Sequence, residues 1–212
     1  LEAPRASVVS VMGGSVGAGA SVLAVSLALA GVRLGQVTAL VDLDPRGGGL
    51  DLALGAEDLP GARWTDLAGV LGPVPAGTLT AALPHIHGVS VLAPARDGSF
   101  PLPVHPAVVP AVLDSLIADS SLVVVDLPRS HDDLSAAVLA RTDVLLVVVT
   151  PDVRGSAAAQ AVCATVRERC DTRAVVRALP GAGLDGQAVA DWLAVPLAAE
   201  VAGVGMRVVA SL

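Results

Sequence analysis

The chain contains no lysine: all 13 of its basic residues are arginines. It has no tyrosine, one phenylalanine and two tryptophans. With so few rings the core must be packed from aliphatic side chains, and the composition argues against a stacking platform for single-stranded nucleic acid. Positive charge is also short, because 20 acidic residues leave a formal net charge of −7. A general nucleic-acid-binding face is normally basic, so no nucleic-acid partner is expected. Cysteine is scarce. Cys163 and Cys170 are seven positions apart, and on one helix they would share a face. Their Cα atoms would then lie roughly 10.5 Å apart, too far for a disulfide. Two buried thiols in a reducing cytoplasm are the expectation. No signal-peptide pattern opens the chain, and no uncharged apolar run reaches the ~18 residues of a membrane span. The sequence also begins at Leu1 without an initiator Met, which predicts a piece of a longer protein.

What is abundant is alanine, valine and leucine, which carry most of a 53% apolar content. The 212 residues are enough for a full core, and residues 1–212 read as a single domain. Apolar runs with strand character fall at Ser7–Met12, Val37–Val41, Gly88–Leu92, Ser121–Val125, Asp143–Val149 and Arg173–Val176. Helical patterns fall between them at Ser21–Leu34, Trp64–Leu71, Thr78–Leu83, Arg154–Arg169 and Asp185–Leu193. Continuous apolar strands alternating with helices predict an α/β fold: a mostly parallel central sheet in a three-layer α/β/α sandwich. Pro94–Pro110 holds five prolines and reads as an ordered surface loop.

Residues 13–21 read Gly-Gly-Ser-Val-Gly-Ala-Gly-Ala-Ser, between the first strand and the first helix. Against the phosphate-loop pattern G-x-x-x-x-G-K-[ST], Gly14, Gly19 and Ser21 hold the fixed positions and Ala20 stands where lysine belongs. Glycines let backbone N–H groups converge on an anion, and the helix start adds positive potential. Gly14, Ser15, Val16, Gly17, Ala18, Gly19, Ala20 and Ser21 are thus the candidate nucleotide-binding residues, with the Ser21 hydroxyl placed to reach Mg²⁺. Asp42, Asp44 and Asp126 each follow an apolar strand. All three carboxylates are expected at the carboxyl edge of the sheet, where open α/β sheets bind ligands.

With those residues in place, the chain resembles the deviant Walker A ATPases of the MinD/ParA type, whose loop reads K-G-G-x-G-K-[ST]. Ala39–Pro45 (ALVDLDP), Gly49–Gly55 (GLDLALG), Val123–Arg129 (VVVDLPR) and Thr142–Asp152 (TDVLLVVVTPD) extend the match over roughly residues 6–200. More narrowly it looks like the CpaE/TadZ branch, and most like the actinobacterial septum site-determining group, often associated with tight-adherence pilus loci. All-arginine usage with abundant Ala, Gly and Val also suits a high-GC actinobacterial genome. The resemblance implies a P-loop NTPase fold, with a receiver-like domain preceding it in the full protein. It implies that Asp44 positions the hydrolytic water, and that Ser21, Asp42 and Asp126 serve a Mg²⁺ shell, with Asp42 also supporting the loop. It further implies protein partners in division or in a pilus or secretion machine, and a cytoplasmic protein recruited to pole or septum.

The departures from that family concern charge. Ser15 stands at the signature-lysine position and Ala20 at the main-lysine position, and a lysine-free chain cannot lend one across a homodimer. The family's base-contacting Asn is missing too, because the penultimate strand ends Val175-Val176-Arg177. Losing two cationic donors at roughly 1.5–3 kcal/mol each weakens nucleotide binding by about two to four decades. The effect on hydrolysis is larger, since one cation placed on a transferring phosphoryl group is worth about 10³–10⁵ in rate. ATP or ADP with Mg²⁺ is therefore expected to bind weakly if at all, without efficient turnover, and any homodimer is expected to be independent of nucleotide. Arg46 and Arg129 each closely follow an acidic motif and are the candidate substitute phosphate contacts. A slow ATPase completed by arginines or a partner protein is the alternative.

Other constellations are weaker. His85, His87, His105 and His131 lack a zinc-ligand pattern. Ser130-His131-Asp132 reads as a helix start with Ser130 as cap. Trp64 and Trp192 are expected to pack on helix faces. Val204–Leu212 carries only Arg207 and makes a poor membrane-targeting helix.

Overall fold

The computed structural model describes residues 5–44, 47–70, 72, 74–75, 77–95, 107–130, 132–178 and 183–202. Eight strands form one sheet in the order β3-β4-β2-β5-β1-β6-β7-β8. They are β1 (Ser7–Gly13), β2 (Thr38–Asp42), β3 (His85–Ile86), β4 (Val89–Leu92), β5 (Leu122–Leu127), β6 (Val144–Val149), β7 (Asp171–Ala178) and β8 (Leu197–Ala202). Every pairing is parallel except the short β3–β4 hairpin. The central strands are mostly apolar because helices cover both faces.

One apolar cluster joins the sheet to α4 (Val108–Asp119), α5 (Asp133–Leu139), α6 (Val153–Val166) and α7 (Gly186–Leu193). A second cluster, on Val11, Leu40 and Val124 of the sheet, joins it to α1 (Ala20–Arg33) and α2 (Leu50–Leu54). The helix α3 (Thr78–Ala82) contributes Leu79 to the first cluster. The expected three-layer α/β/α arrangement is therefore present, and it is built almost wholly from Val, Leu and Ala.

Several local expectations change. Of the helical stretch expected at Trp64–Leu71, Trp64–Leu67 forms one 3₁₀ turn, and residue 71 lies outside the described residues; the indole is fully buried and donates from Nε1 to the Asp42 carbonyl at 2.8 Å. Trp192 is 46% exposed and does not pack into the core. The helix α5 is capped by Asp132, whose carboxylate accepts from Ser135 N at 2.9 Å, while Ser130 bonds the Ser135 hydroxyl. Cys163 is buried on α6, but that helix ends at Val166, so Cys170 lies beyond it and is only half-buried; both thiols are free. α4 starts inside the proline-rich stretch, with Pro110 in its first turn, where no N–H donor is needed. The rest of that stretch from residue 96 to 106 lies outside the described residues, as do Arg46, His105, His131 and the tail from residue 203. No described helix is long and apolar enough to cross a membrane.

Candidate functional site

The loop between β1 and α1 sits at the centre of the sheet's carboxyl edge, where β1 lies between β5 and β6. Gly14 N donates to Val148 O at 2.8 Å, tying the start of the loop to β6. A Cβ on Gly14 would lie 2.6 Å from the Ala159 Cβ of α6, so only glycine allows that approach. Gly19 caps α1 at φ +102, a left-handed conformation that a side chain would strain. The loop thus has the closed backbone geometry that the sequence pattern requires.

The missing cations are not replaced within the loop. Ser15 turns its hydroxyl toward Thr150 Oγ1 of the same chain, 3.5 Å away. Ala20, the first residue of α1, has only a methyl group to offer.

Asp42 and Asp126 are register partners at the ends of β2 and β5. Both are almost fully buried. The two Asp42 oxygens accept from the backbone of the following segment, Oδ1 from Asp44 N at 3.0 Å and Oδ2 from Leu50 N at 2.9 Å. Burial raises its pKa to about 6 against the pull of those two bonds. The Asp42 carboxylate thus serves the β2–α2 loop, and Asp42 does not line the cleft. Asp126 does line it, together with Asp44, Ser21 and the glycine loop.

Asp126 Oδ2 is a buried oxygen with no hydrogen-bond partner among the described residues. Burial pushes the Asp126 pKa to about 7, the Ser21 hydroxyl opposes that rise, and the charges of Asp42 and Asp44 add to it. A buried carboxylate with a free oxygen, beside a serine hydroxyl and two other acids, is a place that a hard divalent cation would stabilise. The donor set therefore fits Mg²⁺ at Ser21 and Asp126. The glycine loop lines the same cleft and carries no lysine.

The cleft encloses about 1470 Å³ between this acidic wall and the ends of β6, β7 and β8. Among the described residues, two arginines face it. Arg129 follows β5 at the exposed rim. Arg177, near the end of β7, reaches back to the loop and donates from Nη1 to Gly17 O at 3.3 Å. Sequence reading counted position 177 only as the place of a missing Asn. Its signal was a basic residue at the carboxyl end of a buried strand.

No protein-family model matches the chain. It is 41% identical over 196 residues to the uncharacterized protein Rv3660c of Mycobacterium tuberculosis, and equally to that protein's counterpart in a second strain of the species. The match covers 92% of the chain but 54% of the relative, so the chain spans about half the length of the curated proteins it matches. Among solved structures, a ParA family ATPase from Chlorobium tepidum superposes with a TM-score of 0.82 at 17% identity, over 94% of this chain and 84% of that one. The septum site-determining protein MinD from Pyrococcus horikoshii, complexed with Mg-ADP, superposes at 0.77 and 20% identity, over 93% and 81%. A MinC:MinD cell division complex from Aquifex aeolicus gives 0.73 at 20% identity, over 93% and 81%. The chain has the fold of the MinD/ParA P-loop ATPases.

Proposed function

We propose that this chain is a localisation or regulatory protein built on a MinD/ParA-type ATPase fold. It belongs with the CpaE/TadZ branch and the septum site-determining group, and acts on division or on a pilus or secretion machine through protein contacts. The observation that carries this reading is the split character of the cleft. Its glycine loop and the unpartnered Asp126 Oδ2 support a phosphate and Mg²⁺ site, while both lysine positions, Ser15 and Ala20, lack charge. Such a cleft can recognise a nucleotide and cannot turn it over quickly.

In this reading the loop amides hold the phosphates, and Ser21 and Asp126 hold Mg²⁺, which supplies charge neutralisation to the phosphate chain. Asp44 lines the same cleft and would position the hydrolytic water. The solved MinD–MinC complex supports protein contact as the output of this fold. The absence of a bridging lysine makes any dimer of this chain independent of nucleotide.

Isothermal titration with ATP and ADP in Mg²⁺, followed by a phosphate-release assay, tests the proposal. Weak binding with negligible release is expected. Steady turnover that disappears in Asp44→Ala would instead establish the alternative, a slow ATPase completed by arginines. Light scattering with and without ATP should give one mass, and a nucleotide-dependent shift would contradict the dimer prediction.

A further inference from the structure

The geometry points to Arg177 as the cation of this cleft: we propose that its guanidinium binds the phosphate groups of a nucleotide, in place of the lysine missing at position 20. The inference rests on the nucleotide reading above and names the residue that makes it work.

The placement is specific. Arg177 lies near the carboxyl end of β7, two strands from β1 in the sheet, yet its side chain folds back over the glycine loop. Nη1 bonds Gly17 O and lies 3.9 Å from where a Cβ on Gly19 would sit. The guanidinium thus overlies the Gly17–Gly19 segment, beside the start of α1, which carries the helix's positive end. Arg177 and its loop contact are 160 positions apart in sequence, so only the fold brings them together.

The guanidinium also has capacity to spare. It carries five N–H donors. Among the described residues its Nε is buried without a partner, and its hydrogen bond to the loop is long at 3.3 Å. Charge-assisted bonds to phosphate run at about 2.7–2.9 Å and are roughly twice as strong, so a phosphate oxygen would outcompete the Gly17 carbonyl.

Nor is the charge spent on a carboxylate. Arg5, Arg63, Arg141 and Arg173 each form an ion pair with an aspartate. Arg177 forms none among the described residues, in a chain where acids outnumber bases 20 to 13. Across the same cleft, the unpartnered and buried Asp126 Oδ2 marks an independent position for the metal that accompanies a phosphate chain. One wall therefore offers a cation site and the other a guanidinium.

The test is binding of Mg-ADP, inorganic pyrophosphate and adenosine to the wild-type chain, R177A, R177K and the double variant R177A/A20K. Arg177→Ala should weaken Mg-ADP and pyrophosphate by about tenfold to a hundredfold and leave adenosine unmoved. Arg177→Lys should recover part of the loss. Ala20→Lys in the R177A background should restore binding by returning a cation to the loop. Arg129→Ala, at the exposed rim, should cost less than R177A. Melting curves report folding of each variant, and R177K supplies the comparison if R177A melts early. An R177A affinity for Mg-ADP within twofold of wild type overturns the inference alone, as does an equal loss of adenosine. A wild-type chain that binds neither Mg-ADP nor pyrophosphate overturns the nucleotide reading, and this inference with it.

Discussion

Asp42 and Asp126 end neighbouring strands in register, are equally buried, and have opposite employment. Asp42 gives both oxygens to backbone N–H groups and thereby shapes the segment leading into α2. Asp126 keeps one oxygen free and faces the cleft. Identical residue type, burial and sheet position therefore do not define a ligand site. What defines it is whether the chain has already satisfied the group, since a buried polar atom left unpaired is costly unless something else completes it.

The sharpest way to break that contrast is Asp42→Ala. It orphans two N–H groups at about 1–3 kcal/mol each, offset in part by relief of carboxylate burial. A net loss of up to about 3 kcal/mol is expected in urea unfolding near pH 5, where the carboxyl is largely protonated in the fold, and no loss there would mean that the β2–α2 segment does not depend on Asp42.

Asp126→Asn should act in the opposite sense. The folded chain holds the Asp126 proton up to about pH 7 and the Asp42 proton up to about 6, whereas an ordinary Asp releases it near 3.8. The unfolded chain therefore binds fewer protons across this window, and stability falls as pH rises from about 4 to about 7. At about pH 8 the Asn variant should be more stable than wild type by about 2–3 kcal/mol. Mg²⁺ should stabilise wild type alone. A melting temperature that rises with pH through this window, or a destabilised Asn variant, would show that Asp126 is structurally satisfied after all.

The smallest expected effect concerns the support behind Asp42. Trp64→Phe keeps an aromatic ring but removes the Nε1 donor to the Asp42 carbonyl, for a loss of about 1–2 kcal/mol with Mg-ADP affinity nearly unchanged. A large drop in affinity would show that this support also shapes the cleft.

Legibility in the sequence followed the range of the interactions. The strands at Ser7, Thr38, Leu122 and Val144 were readable because each is a mostly apolar, largely buried run. The helix α2 was not, being five residues after three glycines, too short to show a period. The strand β8 was missed because Leu-Ala-Ala-Glu-Val-Ala has little β character of its own and is extended by pairing with β7. The helix α4 was hidden by its proline, which is harmless in a first turn.

The site divides in the same way. The glycine spacing, the three strand-end acids and the absence of lysine are local facts, and the sequence alone determined them because a loop's backbone freedom and a strand's end are written in consecutive residues. Which acid is spent on its own loop, which keeps a free oxygen, and which arginine crosses from β7 to the glycine loop are contacts between elements far apart in the chain. Those were decided by the packing of the sheet, because hydrogen-bond satisfaction depends on neighbours that no stretch of sequence contains.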